Sequence, residues 1–151
     1  MELGGALKNV IAIATGICDG LEIGHNTRAA LITRGLVEIS RIGVALGAKP
    51  ETFYGLSGMG DLVLTCTGNL SRNRSVGIRI AQGEKIDAIM KSMNFVAEGI
   101  LTVKSAYKLK SKFNIKASII DETYNVLYSG KSPEQAVKDL MHVKITTELI
   151  K

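Results

Sequence analysis

The chain has 151 residues, 46% of them apolar and 22% charged. That suffices for one domain with a sizeable core and excludes wholesale disorder. Two cysteines, Cys18 and Cys66, exclude a disulfide scaffold and read as reduced thiols of a cytoplasmic protein. The net charge is +5, and residues 101–151 carry nine lysines against five acids. Without an interleaved aromatic ladder, that excess reads as a solvated helix face and not as a nucleic-acid surface.

In chain order, Leu3 to Cys18 is apolar or small almost throughout, and Asp19-Gly20 stops it. A helix apolar all round is buried on most sides, and the run Asn9–Cys18 is too short to span a bilayer. Asn26 or Thr27 can cap a second helix that reaches Ala45, with Gly47 as its left-handed terminator. On it, Arg28, Arg34 and Arg41 fall on a polar side and Leu31, Val37 and Val44 on an apolar one. Pro50 suits the first turn of a short helix. Gly55, Gly58 and Gly60 predict a bend, after which Asp61 opens a new element. The basic stretch 68–75 leads into a helix over 74–81, closed by Gln82-Gly83, and a short helix follows over 84–92. Glu98–Ser111 and Ala117–Tyr128 read as two more helices, and Ser132-Pro133-Glu134-Gln135 is the cap of a last one. No strand–helix alternation is present, so the predicted fold is all-α, one compact multi-helix domain over 1–151. The glycines at 58 and 60 fail as a dinucleotide fingerprint, because Val63 stands where a third glycine is required.

Three places could carry chemistry. Lys8 lies within the most apolar segment, and its helical neighbours Gly4, Gly5, Ala12, Thr15 and Gly16 are all small. Such a stripe admits another body close to the amine. Burial disfavours an ammonium ion, which suits a group that exchanges a proton near neutral pH. The bland alternative is a lysine that snorkels beside a helix contact. Second, Ser71 or Asn73 can cap a helix whose amide N–H groups, with Arg72 or Arg74, form an anion site; capped helices with solvated arginines are commoner. Third, Asp61 is either a helix cap or a partner for an ammonium or a substrate hydroxyl, with Thr65 and Thr67 nearby. His25 and His142 lack companions at metal spacing, so no metal is expected. Cys66 is reactive only with a lowered pKa, for which there is no sign.

Together these signals form a pattern. Glu2-Leu3-Gly4-Gly5-Ala6-Leu7-Lys8-Asn9-Val10-Ile11-Ala12-Ile13 closely resembles the opening of the substrate domain of bacterial NAD(P)-dependent glycerol-3-phosphate dehydrogenases. The same holds for Asn26–Gly35, Gly58-Met59-Gly60-Asp61-Leu62-Val63-Leu64-Thr65-Cys66-Thr67, Leu70-Ser71-Arg72-Asn73-Arg74 and Val96-Ala97-Glu98-Gly99. The resemblance spans almost the whole chain. It implies an all-helical domain of the 6-phosphogluconate dehydrogenase C-terminal-like type. It also implies reversible reduction of dihydroxyacetone phosphate to sn-glycerol 3-phosphate by NADH or NADPH, serving phospholipid synthesis.

By that resemblance Lys8 is the acid–base residue. Lys8, Asp61, Ser71, Arg72 and Asn73 bind substrate, while Arg72, Val96 and Glu98 lie at the cofactor. For Arg74, Thr65 and Cys66 the structural role remains the expectation. The Rossmann nucleotide-binding half of the family has no counterpart in this sequence, so the chain alone is expected to be inactive, and a homodimer through the helical half is a possible assembly. The residues taken by themselves leave a second reading open: a non-catalytic helical module for anion binding or dimerisation.

Overall fold

The computed structural model describes residues 3–49, 51, 56–68, 71–93 and 98–142, excepting the side chains of 3, 4, 56–59 and 98. The expectations for Pro50, Gly55 and Val96 therefore lie outside the described residues. Within them the chain is helical without a strand. The helices are α1 (Leu3–Gly20), α2 (His25–Ala45), α3 (Leu56–Thr67), α4 (Arg72–Ala81), α5 (Ile86–Ser92), α6 (Glu98–Lys112), α7 (Ser118–Tyr128) and α8 (Pro133–Met141).

α1 is the axis of the domain. Every residue from Val10 to Cys18 that can be placed in the core is at most 5% exposed, apart from the glycine, and α2, α3, α4, α6 and α7 all pack on it. An element touched on that many sides must be apolar all round, as its sequence is. Against α4 the contact is between backbones. A Cβ at Gly16 would overlap the main-chain carbonyl of Arg74, and one at Gly77 would overlap the carbonyl of Ile13. Gly16 was expected to leave room for a ligand beside Lys8; α4 fills that room instead.

Several boundaries differ from expectation, each for a local reason. α1 continues through Asp19 and Gly20 because Asp19 finds two cationic partners there, Arg28 and Arg74. α2 begins at His25, after Gly24 at φ 115°, and not at Asn26 or Thr27. A turn in the left-handed region admits glycine with least strain, so the backbone sets this start. Gly47, at φ 99°, terminates the helix as expected. α3 runs straight through Gly58 and Gly60, so there is no bend and Asp61 is not a cap. Burial of Leu62 and Cys66, four residues apart, outweighs a glycine penalty of about 1 kcal/mol per residue. α4 starts at Arg72 rather than at residue 74, with Ser71 as its cap, and Ser132 caps α8 by accepting the Gln135 N–H.

The polar side of α2 also turns inward. Arg34 is 7% exposed and donates to the carbonyl of Leu140 at 2.8 Å, at the end of α8. Arg41 donates to the Lys116 carbonyl at 3.2 Å. Glu38 is fully buried and accepts the N–H groups of Ile119 at 2.7 Å and Ile120 at 3.2 Å. The core stripe of α2 is Leu31, Ile32, Leu36, Ile39 and Ile42, whereas Val44 is exposed. One face of α2 thus ties down the start of α7 and the end of α8 by charge-assisted hydrogen bonds.

Candidate active site

Lys8 sits in the second turn of α1 and Asp61 in the middle of α3. Their side chains meet: Lys8 Nζ donates to Asp61 Oδ2 at 2.7 Å. The Lys8 side chain is 26% exposed and that of Asp61 62%, so the amine occupies an ion pair at the surface and not the deep apolar burial that its sequence neighbours suggested. α3 is held alongside α1 one or two turns further on, where Thr15 Oγ1 shares its proton between the carbonyls of Ala12, 2.9 Å, and Cys66, 3.2 Å. Lys8 faces Asp61 and Thr15 faces Cys66, so the two helices run in the same direction. Among the described residues nothing lies within 4 Å of a Cβ built on Gly60, the residue before Asp61. Thr65 and Thr67 donate within α3, to the carbonyls of Asp61 and Val63; this is the structural role expected of Thr65.

The second cluster is the first turn of α4. Ser71 Oγ accepts the Arg74 N–H at 3.2 Å. Arg72 is exposed there. Asn73 is 9% exposed and its Oδ1 accepts the Gly99 N–H at 2.9 Å, which joins the turn to the start of α6. A Cβ at Gly99 would overlap both Asn73 Oδ1 and Ile13 Cδ1, so this cluster lies at the level of Ile13 on α1. Lys8 is five residues earlier, about 7.5 Å along the helix axis at 1.5 Å per residue. Arg74 is engaged with α1: its Nε donates to Asp19 at 3.0 Å. α6 begins at Glu98, whose side chain lies outside the described residues.

An ammonium–carboxylate pair and a capped, arginine-bearing helix start are thus both packed on α1. The family model described as "NAD-dependent glycerol-3-phosphate dehydrogenase C-terminus" matches residues 1–138. The chain belongs to this family. A glycerol-3-phosphate dehydrogenase [NAD(P)+] of Citrifermentans bemidjiense is 60% identical over 148 residues, which are 98% of this chain and 44% of that protein. One of a Geobacter species is 59% identical over the same share. The crystal structure of glycerol-3-phosphate dehydrogenase from Coxiella burnetii superposes with a TM-score of 0.90 at 42% identity, covering 94% of this chain and 44% of that one. A Plasmodium falciparum counterpart, 21% identical with a TM-score of 0.80, shares the fold. The chain spans less than half the length of the curated relatives it matches.

Within this glycerol-3-phosphate dehydrogenase C-terminal fold, the two thiols are inert by environment. Burial pushes Cys66 up to about 12 and Cys18 up to about 11, so both stay protonated at neutral pH. Among the described residues no three His, Cys, Asp or Glu side chains gather as a metal site, and no helix is long and apolar enough to cross a membrane. Two residues escaped the sequence reading. Asp19 carries an acid at a helix C-terminus, where the dipole disfavours it, and that alone signals a cationic partner. Glu38 supplies the cap that α7 lacks locally: Ala117 offers no side-chain acceptor, so the first N–H groups must find one elsewhere.

Proposed function

We propose that this chain is the substrate-binding and catalytic half of an NAD(P)-dependent glycerol-3-phosphate dehydrogenase. The reaction is reversible reduction of dihydroxyacetone phosphate to sn-glycerol 3-phosphate, in the cytoplasm, for phospholipid synthesis. The observation that carries the reading is the Lys8–Asp61 pair, an ammonium held at 2.7 Å by a carboxylate that is itself 62% exposed. The nicotinamide, bound mainly by a Rossmann domain that precedes this one in the whole enzyme, supplies the hydride. When the substrate carbonyl carbon accepts it, the carbonyl oxygen becomes an alkoxide. Lys8 stabilises that charge and donates a proton from Nζ to the oxygen, and in the reverse direction takes it back. Asp61 fixes the direction of the amine and is free at its other oxygen to accept from a substrate hydroxyl.

Ser71, Arg72 and Asn73 hold the phosphate. That group is remote from the reacting carbon, so its binding energy serves to orient the carbonyl. The N-terminus of α4 favours an anion through its backbone N–H groups and dipole, and an exposed arginine adds fork geometry. Arg72 also reaches the cofactor edge together with Val96 and Glu98. Two copies pair through this helical domain in the same reading.

The test joins this chain in frame behind the N-terminal part of the Citrifermentans bemidjiense relative. Nicotinamide absorbance should report turnover with dihydroxyacetone phosphate, and the chain alone should show none. Lys8→Ala in the joined protein should lower kcat by roughly 10²–10⁴-fold, the usual worth of a general acid, with the helical circular dichroism intact. Near-normal turnover in that variant removes Lys8 from the mechanism.

A further inference from the structure

We propose that Asp19, some three turns from Lys8 on the same helix, is a positioning residue for the phosphate-binding turn and acts through Arg74. The proposal rests on the reading of Ser71–Asn73 as the phosphate site. Arg74 is the residue that fixes this turn, and it is held in three ways. Its N–H is bonded to Ser71 Oγ at 3.2 Å. Its main-chain carbonyl lies flat on α1 at Gly16, where no side chain fits. Its guanidinium Nε donates to Asp19 Oδ2 at 3.0 Å, with both side chains only 16% exposed.

The first two contacts fix where the backbone of the turn sits along α1. The third fixes how α4 is rotated about that contact, because Asp19 is itself rigid in the last turn of α1. The same oxygen, Asp19 Oδ2, accepts from Arg28 Nη1 at 3.3 Å, and Arg28 Nη2 lies 2.8 Å from His25 Nδ1. One carboxylate thus references the start of α4 to the start of α2 and the end of α1. On the other side, Asn73 Oδ1 is pinned by Gly99 N–H. Ser71 and Arg72 directly precede these two anchored residues, so the direction of their backbone follows from them. Arg74 is therefore withdrawn from ligand contact, and its charge serves to aim its neighbours. Phosphate recognition by a short turn depends on where its N–H groups and hydroxyl point, so a rotated turn holds the anion less well.

The joined enzyme described above tests this by a split between kinetic constants. Asp19→Asn and Arg74→Met should each raise KM for dihydroxyacetone phosphate about tenfold, the scale of one charge-assisted hydrogen bond. The inhibition constant of inorganic phosphate should rise in parallel. kcat at saturating triose should fall by less than KM rises, since Lys8 and Asp61 are untouched. The double variant should be no worse than either single one, because the two residues act as one unit. Arg79→Met, which removes an ion pair with Glu84 at the far end of α4, should leave KM for the triose unchanged. Additive losses in the double variant overturn the proposal, as does an unchanged KM in either single variant. Loss of helical circular dichroism in both single variants overturns it too, since the pair would then hold the fold and not the turn. An inactive parent enzyme would instead strike the proposed function itself.

Discussion

The two halves of α1 obey opposite demands. In the early half the Lys8 side chain is a quarter exposed and its partner Asp61 more so. From Val10 onwards the helix is dry, and at Gly16 and Gly77 its backbone touches that of α4 without an intervening side chain. The glycines that looked like one continuous stripe in sequence therefore divide. The later ones, Gly16 and Gly20, serve close packing, and the early end carries the Lys8–Asp61 pair on which the proposed function rests. A rigid, over-determined half positions a half that has few contacts of its own, as a site needs when its geometry must be held by its surroundings.

The largest break in that comparison is Gly16→Val. The new side chain meets main-chain atoms that cannot rotate away, and the whole α1–α4 contact must part. We expect the chain to lose cooperative unfolding altogether, read as loss of a sigmoidal urea transition by circular dichroism. Second comes Glu38→Ala, which strips two buried N–H groups of their acceptor. It should cost about 3 kcal/mol in a urea titration, with no requirement for ligand. A loss under 1 kcal/mol would mean that water replaces the carboxylate at α7.

The thiols sharpen the dry half through pH. Both have folded-state values above the ordinary 9.0, Cys18 at about 11 and Cys66 at about 12. Between pH 9 and 11 the unfolded chain has lost these protons while the folded one retains them, so stability must fall as pH rises. Each thiol contributes a slope approaching about 1.4 kcal/mol per pH unit. Cys66→Ala should flatten this slope in urea titrations above pH 9, and an unchanged slope would contradict the assignment. The smallest effect is expected in the open half. Asp61→Asn removes an exposed ion pair worth under about 1 kcal/mol, so the thermal midpoint should move by no more than a few degrees. Turnover of the joined enzyme should nevertheless fall at least tenfold, because Lys8 loses its direction. A large stability loss with unchanged turnover would reverse the roles given to the two halves.

Much of the fold was legible beforehand because it depends on local chemistry. Ser71 and Ser132 cap where their hydroxyls predict, Gly47 adopts the left-handed turn, and the all-round apolar α1 is the buried axis. Lys8 and Asp61 were singled out separately, yet no spacing rule pairs residues 53 apart; only the packing of α3 along α1 does that. Glycines 58 and 60 suggested a bend because a local reading charges their helix penalty without seeing the buried contacts of Leu62 and Cys66. The partners of the polar side of α2 were hidden for a similar reason. Its charges are satisfied by the ends of α7 and α8, some 75 to 106 residues away, which no local pattern reveals.

What the sequence by itself determined is most of the helices, α3 excepted, the buried character of α1 and the residue types able to bind an anion and move a proton, since these follow from propensity, periodicity and side-chain chemistry. Tertiary structure alone decided which of those residues meet. Lys8 with Asp61, Arg74 with Asp19 and Asn73 with Gly99 are products of close helix approach, and that approach is set by where glycines let two backbones touch.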